Sequence, residues 1–341
     1  MDCGDNALML RFAVPSKGAL ADDTFRFFES CGLKVSRPNP RRYTASIKAL
    51  PEVEVLLHRA PDIVEKVADG SIDLGVSGYD LVEELGGESD DLVVVYKDLG
   101  FGYCDLVLAV PDHWIDVTSW RDVADLAAEY ARAGRQLRIA TKFPNLVRQW
   151  CHQQGINVFA LIDSQGATEA APSLGYADII ADLTATGTTL RDNHLKMIQG
   201  GTILQAQAAL IANRRSLRES SQKQRVVQSI LELIEARHRA KTYVSLIANV
   251  PGSDVADVGA RVVAHAALAG LQGPTVSPVW SRDGGEGWYA VSLVVDSANI
   301  LPAIDHLRSI GSTGITVLPV HYVFAERSQS FAALSELMHK S

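Results

Sequence analysis

The chain is short of the features that mark many functional classes. Its 341 residues include four cysteines, Cys3, Cys31, Cys104 and Cys151. They are widely spaced and form no CxxC pair, so neither a zinc site nor a disulfide framework is indicated and a reduced compartment fits. No stretch approaches the roughly 20 apolar residues of a membrane span. The apolar run Ala7–Leu10 stops at Arg11, too soon for a secretory signal, so a cytoplasmic protein is expected. Basic residues are outnumbered, 32 Lys and Arg against 40 Asp and Glu, for a net charge of −8. That balance argues against nucleic acid or an anionic membrane as the main partner. It leaves phosphate substrates open, because backbone N–H groups and Mg²⁺ neutralise phosphate locally. There is no GxxxxGK[ST], HExxH, GxSxG or strand-to-helix GxGxxG, and the nine histidines show no ligand spacing. No resident metal site is identified.

What is present is the balance of a globular protein, 47% hydrophobic and 21% charged, at a length that asks for more than one core. Strand-like runs at Leu10–Pro15, Val53–Leu57, Leu74–Val76, Leu92–Tyr96 and Asp105–Val110 alternate with helical spacing at Leu20–Cys31 and Ile63–Ala68. The alternation restarts after Pro111: helix Val123–Arg132, strand Leu137–Thr141, helix Pro144–Gln153, strand Val158–Ile162, helix Thr168–Leu174, strand Asp178–Asp182. This predicts two α/β lobes of periplasmic-binding-protein-like type with a ligand cleft between them. The expected bounds are 7–110 for the first lobe, with 195–240 returning to it, and 111–194 for the second. Ser221–Ala240 reads as a long amphipathic helix leading out. Residues 241–327 then predict a ferredoxin-like, ACT-like βαββαβ domain. Its strands are Thr242–Val250, Thr275–Trp280, Trp288–Val295 and Ile315–Phe324, its helices Asp254–Ala267 and Ile300–Ile310, with a hairpin turn at Asp283–Gly287. Residues 328–341 read as a polar tail.

The richest stretch for chemistry is Asp178-Ile-Ile-Ala-Asp182-Leu-Thr184-Ala185-Thr186-Gly187-Thr188-Thr189-Leu190. A buried strand ends in a carboxylate and opens into small hydroxyl residues around a glycine. Such a loop turns backbone N–H groups and hydroxyls toward one anion, at the strand edge where open α/β sheets bind ligands. Asp182 would suit sugar hydroxyls; the plainer alternative is a Thr/Gly turn capping the next helix. Arg138-Ile-Ala-Thr141-Lys142-Phe-Pro144-Asn145 repeats the pattern, with Pro144 opening a helix whose free N–H groups would lie beside Lys142, although on the residues alone an ordinary strand–helix junction is the commoner explanation. Ser164-Gln-Gly166-Ala-Thr-Glu169 is a third junction of this kind, with service to the helix N-terminus alone as the alternative role of Glu169. In the first lobe, Ser16-Lys17-Gly18, Arg59 and Asp73-Leu-Gly75-Val-Ser77-Gly78-Tyr-Asp80 follow or end strands. Lys17 and Arg59 would serve polyphosphate, although a solvated surface charge is the commoner explanation of either alone.

In order, the runs Val14-Pro-Ser-Lys17-Gly18, Arg59-Ala-Pro-Asp62, Gly70-Ser-Ile-Asp73-Leu-Gly75-Val-Ser-Gly78-Tyr-Asp80, Asp98-Leu-Gly100-Phe-Gly102, Arg138 to Asn145, Glu169-Ala-Ala-Pro172 and Asp182 to Leu190 resemble the ATP phosphoribosyltransferase family. The likeness covers roughly residues 10–213. The last domain, with Gly273-Pro-Thr-Val-Ser-Pro278, resembles the regulatory domain of the long-form enzymes. Two departures stand out: Ala19 where many members carry arginine, and Thr184-Ala185 where a Val–Ser or Val–Glu pair is usual.

The resemblance implies transfer of the phosphoribosyl group of phosphoribosyl pyrophosphate to N1 of ATP, with Mg²⁺ entering on the substrates and feedback inhibition by histidine. It implies catalytic roles for Lys17, Arg59 and Asp182, and a phosphoribosyl pyrophosphate site at Asp182, Thr184, Ala185, Thr186, Gly187, Thr188 and Thr189. ATP would be held by Lys17, Gly18, Arg59, Asp73, Gly75, Ser77, Gly78, Asp80, Thr141, Lys142 and Glu169. Histidine would bind Pro274, Thr275, Val276 and Ser277, and the chain would form homo-oligomers, from dimer to hexamer. Rival readings are a two-lobed small-molecule binding or sensor protein, and an inactive regulatory paralogue.

Overall fold

The computed structural model describes residues 9–339 other than 38, 40–41, 88, 165, 269 and 281–286. The expected hairpin turn at Asp283–Gly287 lies outside these residues except for Gly287. The chain divides into two compact units: one runs to Val226 and also takes in the stretch from Ser330, and the other is Val227–Gln329.

The first unit holds two α/β lobes. Lobe I comprises β1 (Leu10–Pro15), α1 (Ala19–Ser30), β2 (Val35–Ser36), β3 (Thr44–Ile47), β4 (Leu50–His58), α2 (Ala60–Ala68), β5 (Leu74–Gly78), α3 (Tyr79–Leu85) and β6 (Leu92–Tyr96). Lobe II comprises β7 (Cys104–Pro111), α4 (Trp120–Arg132), β8 (Leu137–Thr141), α5 (Pro144–Gln153), β9 (Phe159–Asp163), β10 (Ile179–Thr184), α6 (Thr188–Asp192) and β11 (Leu195–Ala206). The chain then returns to lobe I with β12 (Ala208–Asn213) and α7 (Arg214–Arg218); α8 (Ser221–Ala240) follows and belongs to the second unit from Val227 on.

The strand orders are β2-β3-β4-β1-β5-β12-β6 and β11-β7-β10-β8-β9. Parallel pairing of β4, β1 and β5 in one sheet, and of β10, β8 and β9 in the other, puts their C-terminal ends along one edge of each. The crossings between lobes fall near residues 103 and 207, because β7 and β11 pair with each other in the second sheet. The bounds expected from sequence, 110 and 195, fell inside lobe II. Long β11 was obscured by Gly200 and Gly201 and by bulges between Met197 and Leu204 that break its alternation. The glycines are required: a Cβ on Gly200 would come within 2.7 Å of the Trp120 ring.

Each lobe is closed at its strand starts by the same clip. Arg11 donates its backbone N–H (2.8 Å) and its guanidinium (3.1 Å) to Asp73, and Nη2 to the Gly70 carbonyl (3.0 Å). In lobe II, Arg138 donates its N–H (2.8 Å) and guanidinium (2.9 Å) to Asp178, and Nη1 to the Gly175 carbonyl (2.9 Å). Gly70 and Gly175 both sit at positive φ, 80° and 79°. Apolar layers form on the sheets: Ile63, Val64, Val67 and Val82 on lobe I, Val123, Ala127, Val147 and Trp150 on lobe II.

The second unit is the expected βαββαβ domain: β13 (Tyr243–Pro251), α9 (Val255–Val263), β14 (Thr275–Pro278), β15 (Trp288–Asp296), α10 (Ile300–Ser309) and β16 (Thr313–Pro319) in the order β14-β15-β13-β16. Leu246, Ala248, Val250, Val291, Leu293 and Val295 turn toward Val258, Val262, Ala303 and Leu307 of the helices. Strand β16 ends at Pro319, short of the expected Phe324, since proline cannot donate to the ladder. The expected polar tail is instead helix α11 (Gln329–His339). Leu334 and Met338, one turn apart, are buried, and the helix from Ser330 on belongs with the first unit.

Candidate active site

The ligand edge of lobe I is built from three strand ends. Pro15 and His58 are register partners and the Ser16 N–H donates to the His58 carbonyl (2.8 Å), so the loops after β1 and β4 lie side by side. Lys17 and Arg59 are both exposed there, with no side-chain partner among the described residues. Gly18 takes φ +81° at the start of α1, with open space around it. Next along, β5 ends at buried Ser77, which donates to the Ala60 carbonyl, and at Gly78, where a Cβ would collide with Asp80 at 2.2 Å. Asp80 is 6% exposed, and burial raises its pKa, offset only by its own N–H and that of Leu81. A carboxyl in that state takes up a hydrogen-bond donor or cation readily, which suits a ligand-facing residue.

Two sequence-predicted ATP residues are elsewhere. Asp73 precedes β5, at the opposite edge. It is fully buried and bonded to Arg11, Ser216 and Lys223 (3.0 Å), which together outweigh the upward effect of burial and hold its pKa below the ordinary value. Gly75 is buried mid-strand, where a Cβ would meet Ile63 at 2.5 Å, so its lack of side chain serves the seating of α2. Both are scaffold.

In lobe II the parallel strands β8, β9 and β10 end together. Thr184 Oγ1 accepts the Gly187 N–H (2.8 Å), closing the Thr/Gly turn. Gly187 is buried at φ +71°, a conformation that β-branched residues resist. Thr186 and Thr188 hydroxyls meet at 3.0 Å, and Ala185 and Thr189 are exposed. Asp182, half-buried, has its pKa raised by burial first and by Glu169; the Leu183 N–H, Lys142 and Thr168 act in the opposite sense. The structure therefore gathers Asp182, Lys142, Glu169 and the loop into one electrostatic neighbourhood. Ala167 opens the short turn bearing Glu169 in the left-handed region at φ 49°, a strain of order 1 kcal/mol kept where ligand sites tend to keep it.

Thr141 is buried and its hydroxyl accepts the Phe143 N–H (3.0 Å), shaping the turn before α5. Of the two readings of the start of α5, the free N–H groups are not found. The amides of Asn145 and Leu146 donate to the two oxygens of Glu84, each at 2.9 Å, and Asn145 Nδ2 returns a bond to the Glu84 carbonyl. Glu84, on α3 and 4% exposed, thus caps a helix of the other lobe and closes that site to phosphate. Sequence reasoning also missed Arg191, which donates to the Thr186 carbonyl (3.3 Å) and Thr188 Oγ1 (3.1 Å) and brings a cation to the loop. Its signal was an arginine one short turn beyond the glycine.

A site with two anion-suited edges and, among its described residues, no nucleophile triad fits transfer between phosphorylated substrates. The ATP phosphoribosyltransferase profile matches residues 59–236, and that of the HisG C-terminal domain residues 240–322. The chain belongs to the ATP phosphoribosyltransferase family. It is 39% identical over 330 residues to ATP phosphoribosyltransferase 2, chloroplastic, of Arabidopsis thaliana, covering 95% of this chain and 79% of that one. It is 44% identical over 212 residues to the ATP phosphoribosyltransferase of Brucella melitensis, covering 61% of this chain and 92% of the relative. Among solved structures it resembles the ATP phosphoribosyl transferase (HisG:HisZ) complex of Thermotoga maritima, with a TM-score of 0.51 and 26% identity over 66% of this chain and 96% of that one. It is accordingly a transferase of the pentosyl type in histidine biosynthesis, in the long form that carries a C-terminal domain. Among the described residues no helix is long and apolar enough to cross a membrane.

Proposed function

We propose that the two edges divide the substrates: the loop from Asp182 to Thr189 holds phosphoribosyl pyrophosphate, and the lobe I edge, with Lys142 and Glu169, holds ATP. The observation that carries this reading is the closed Thr184–Gly187 turn beside Asp182. The turn presents the Thr186, Thr188 and Thr189 hydroxyls to a phosphate, with Arg191 as the adjoining cation. Asp182 orients the ribose hydroxyls. Lys17 and Arg59 offer unpaired cations to the triphosphate, and Asp80 a carboxyl to the nucleoside sugar. N1 of adenine then displaces pyrophosphate at the ribose C1, giving phosphoribosyl-ATP. Positioning two anions and stabilising the departing charge is enough, and no covalent intermediate is needed.

Mg²⁺ in such sites is held by one or two carboxylates plus substrate phosphates. Asp182 and Glu169 fit that demand; among the described residues no group of three ligating side chains gathers elsewhere. The ion's chemistry would be to neutralise the leaving pyrophosphate. Incubation with ATP, phosphoribosyl pyrophosphate and Mg²⁺ should yield the N1 adduct, and exhaustive chelation should stop it. Adduct formation undiminished by chelation would refute the metal's part, and no adduct at all would refute the substrate assignment.

The C-terminal unit is the proposed histidine sensor. It contains a cavity of about 500 Å³ lined by Arg239, Gly273, Thr275, Ser292, Phe324 and Glu326, among others. Arg239 suits a carboxylate and Glu326 an ammonium group. Of the four residues expected from sequence, Thr275 lines this cavity, whereas Val276 packs against the core. Pro274 is half-buried and Ser277 exposed. Inhibition from this unit requires histidine to bind one state better than another. The edge strand β16, with Val317 and Leu318 exposed, supports homo-oligomers from dimer to hexamer, and the cytoplasm is the proposed compartment.

A further inference from the structure

We propose that Tyr103 is the platform on which the adenine base of ATP stacks, in the cavity where the chain crosses between the lobes. The proposal rests on the assignment of phosphoribosyl pyrophosphate to the loop that begins at Thr184. The cavity measures about 320 Å³ and is lined by Tyr103, Cys104, Asp105, Ala185, Gln205 and Gln207 among others. That volume lies at the lower end for small-molecule sites, the size of a part-ligand such as a base.

Its position follows from the chemistry. The reaction joins a ring nitrogen of the base to the ribose carbon, so the base must lie against the loop that holds the ribose. Ala185, within that loop, lines the cavity wall. On the lobe I side, the charge of Asp80 reaches Cys104 in the same wall. Burial, with Asp80 and Asp105, pushes the Cys104 thiol up to about 11, so at neutral pH it is an uncharged surface and no nucleophile.

Tyr103 is prepared for stacking. It is 57% exposed, yet its hydroxyl lies 3.0 and 3.1 Å from the two oxygens of Asp98. Asp98 is itself held by the Gly100 N–H at 2.7 Å. The ring is therefore fixed by its hydroxyl while it lines the cavity, and little side-chain entropy remains to be lost on binding. The backbone is fixed too: Gly102 stands at φ +71°, where a Cβ would meet Leu20 at 3.3 Å and the Ala208 nitrogen at 3.4 Å. Gln205 adds a side-chain amide with no hydrogen bond to the described residues, the donor–acceptor pair that a base edge needs. Gln207 donates Nε2 to the Lys97 carbonyl, which leaves its oxygen as an acceptor.

The test uses the full chain with Tyr103→Ala, Tyr103→Phe and Tyr103→Trp. Loss of an aromatic platform weakens base binding by about 5- to 100-fold. Tyr103→Ala should therefore raise KM for ATP in that range and leave KM for phosphoribosyl pyrophosphate unchanged, while Tyr103→Phe, which keeps the ring, stays near wild type. In Tyr103→Trp, ATP should change the fluorescence that distinguishes this variant from wild type, and phosphoribosyl pyrophosphate should not. Unchanged KM for ATP in Tyr103→Ala would overturn the proposal, as would equal rises in both KM values at unchanged thermal stability. If Tyr103→Ala does not fold, the tryptophan signal decides. Failure of the substrate assignment shows separately: the Gly187→Val chain would then bind phosphoribosyl pyrophosphate as the wild type does.

Discussion

Replacing Asp73 with alanine separates a scaffold role from a nucleotide-binding one. The carboxylate is fully buried, and its removal leaves the Lys223 ammonium, 11% exposed, with Ser216 as its remaining partner. Breaking a buried ion pair costs about 3–5 kcal/mol. Arg11 is 36% exposed and keeps the Gly70 carbonyl, so its share is screened and the lower end, about 3 kcal/mol, applies. For a unit of about 150–250 residues each kcal/mol moves Tm by roughly 2–4 °C, so the variant should melt about 6–12 °C lower. The pH dependence has a definite sign. The folded pKa of Asp73 is depressed, so its contribution is present above the unfolded value and lost as pH falls through the folded one. The gap between wild type and variant should therefore narrow in acid. Thermal unfolding at neutral and acid pH, with ATP kinetics measured well below the transition, checks both points. A variant with unchanged Tm and a raised KM for ATP would falsify the scaffold role.

Gly187→Val should lower stability by about 1–3 kcal/mol through strain at φ +71° and abolish detectable binding of phosphoribosyl pyrophosphate by calorimetry. Arg59→Ala should weaken ATP by about 1.5–3 kcal/mol if one charge-assisted bond is lost; unchanged KM for both substrates would leave Arg59 a surface charge. Asp80→Asn should cut activity yet stabilise the fold at neutral pH. The raised folded pKa of Asp80 means its contribution is complete below the unfolded value and lost as pH rises through the folded one, so urea midpoints should favour the variant at pH 7 more than at pH 4. Thr275→Val should raise the histidine concentration needed for half-inhibition, and a full-length chain indifferent to millimolar histidine would remove the sensor role. Truncation after Ala240 is a poor test, since it also removes Leu334 and Met338 from a helix that belongs with the first unit.

Fold class was legible because buried parallel strands write themselves as continuous apolar runs, Phe12–Val14 of β1 and Ile179–Ala181 of β10 among them. Strand β11 was not, since Gly200 answers to Trp120, a contact 80 residues away that no local pattern carries. At the site, Asp182 and the Thr/Gly loop were readable as a strand running into hydroxyl residues. Asp73 was misread although the clue was present: it stands before its strand, which places it at the edge away from ligands. The capping of α5 by Glu84 could not be read, because the pair is 61 residues apart and joins different lobes.

The two Arg–Asp–Gly clips bear on how such an enzyme changes over generations. Each anchors its lobe at the strand starts, while the loops proposed for the substrates hang from the strand ends. Substitutions in the loops therefore leave both anchors in place. Ala19, at the start of α1, and the Thr184-Ala185 pair, at the end of β10, both sit at the free ends. The lobes can therefore diverge from each other at one edge while keeping the same clip at the opposite one.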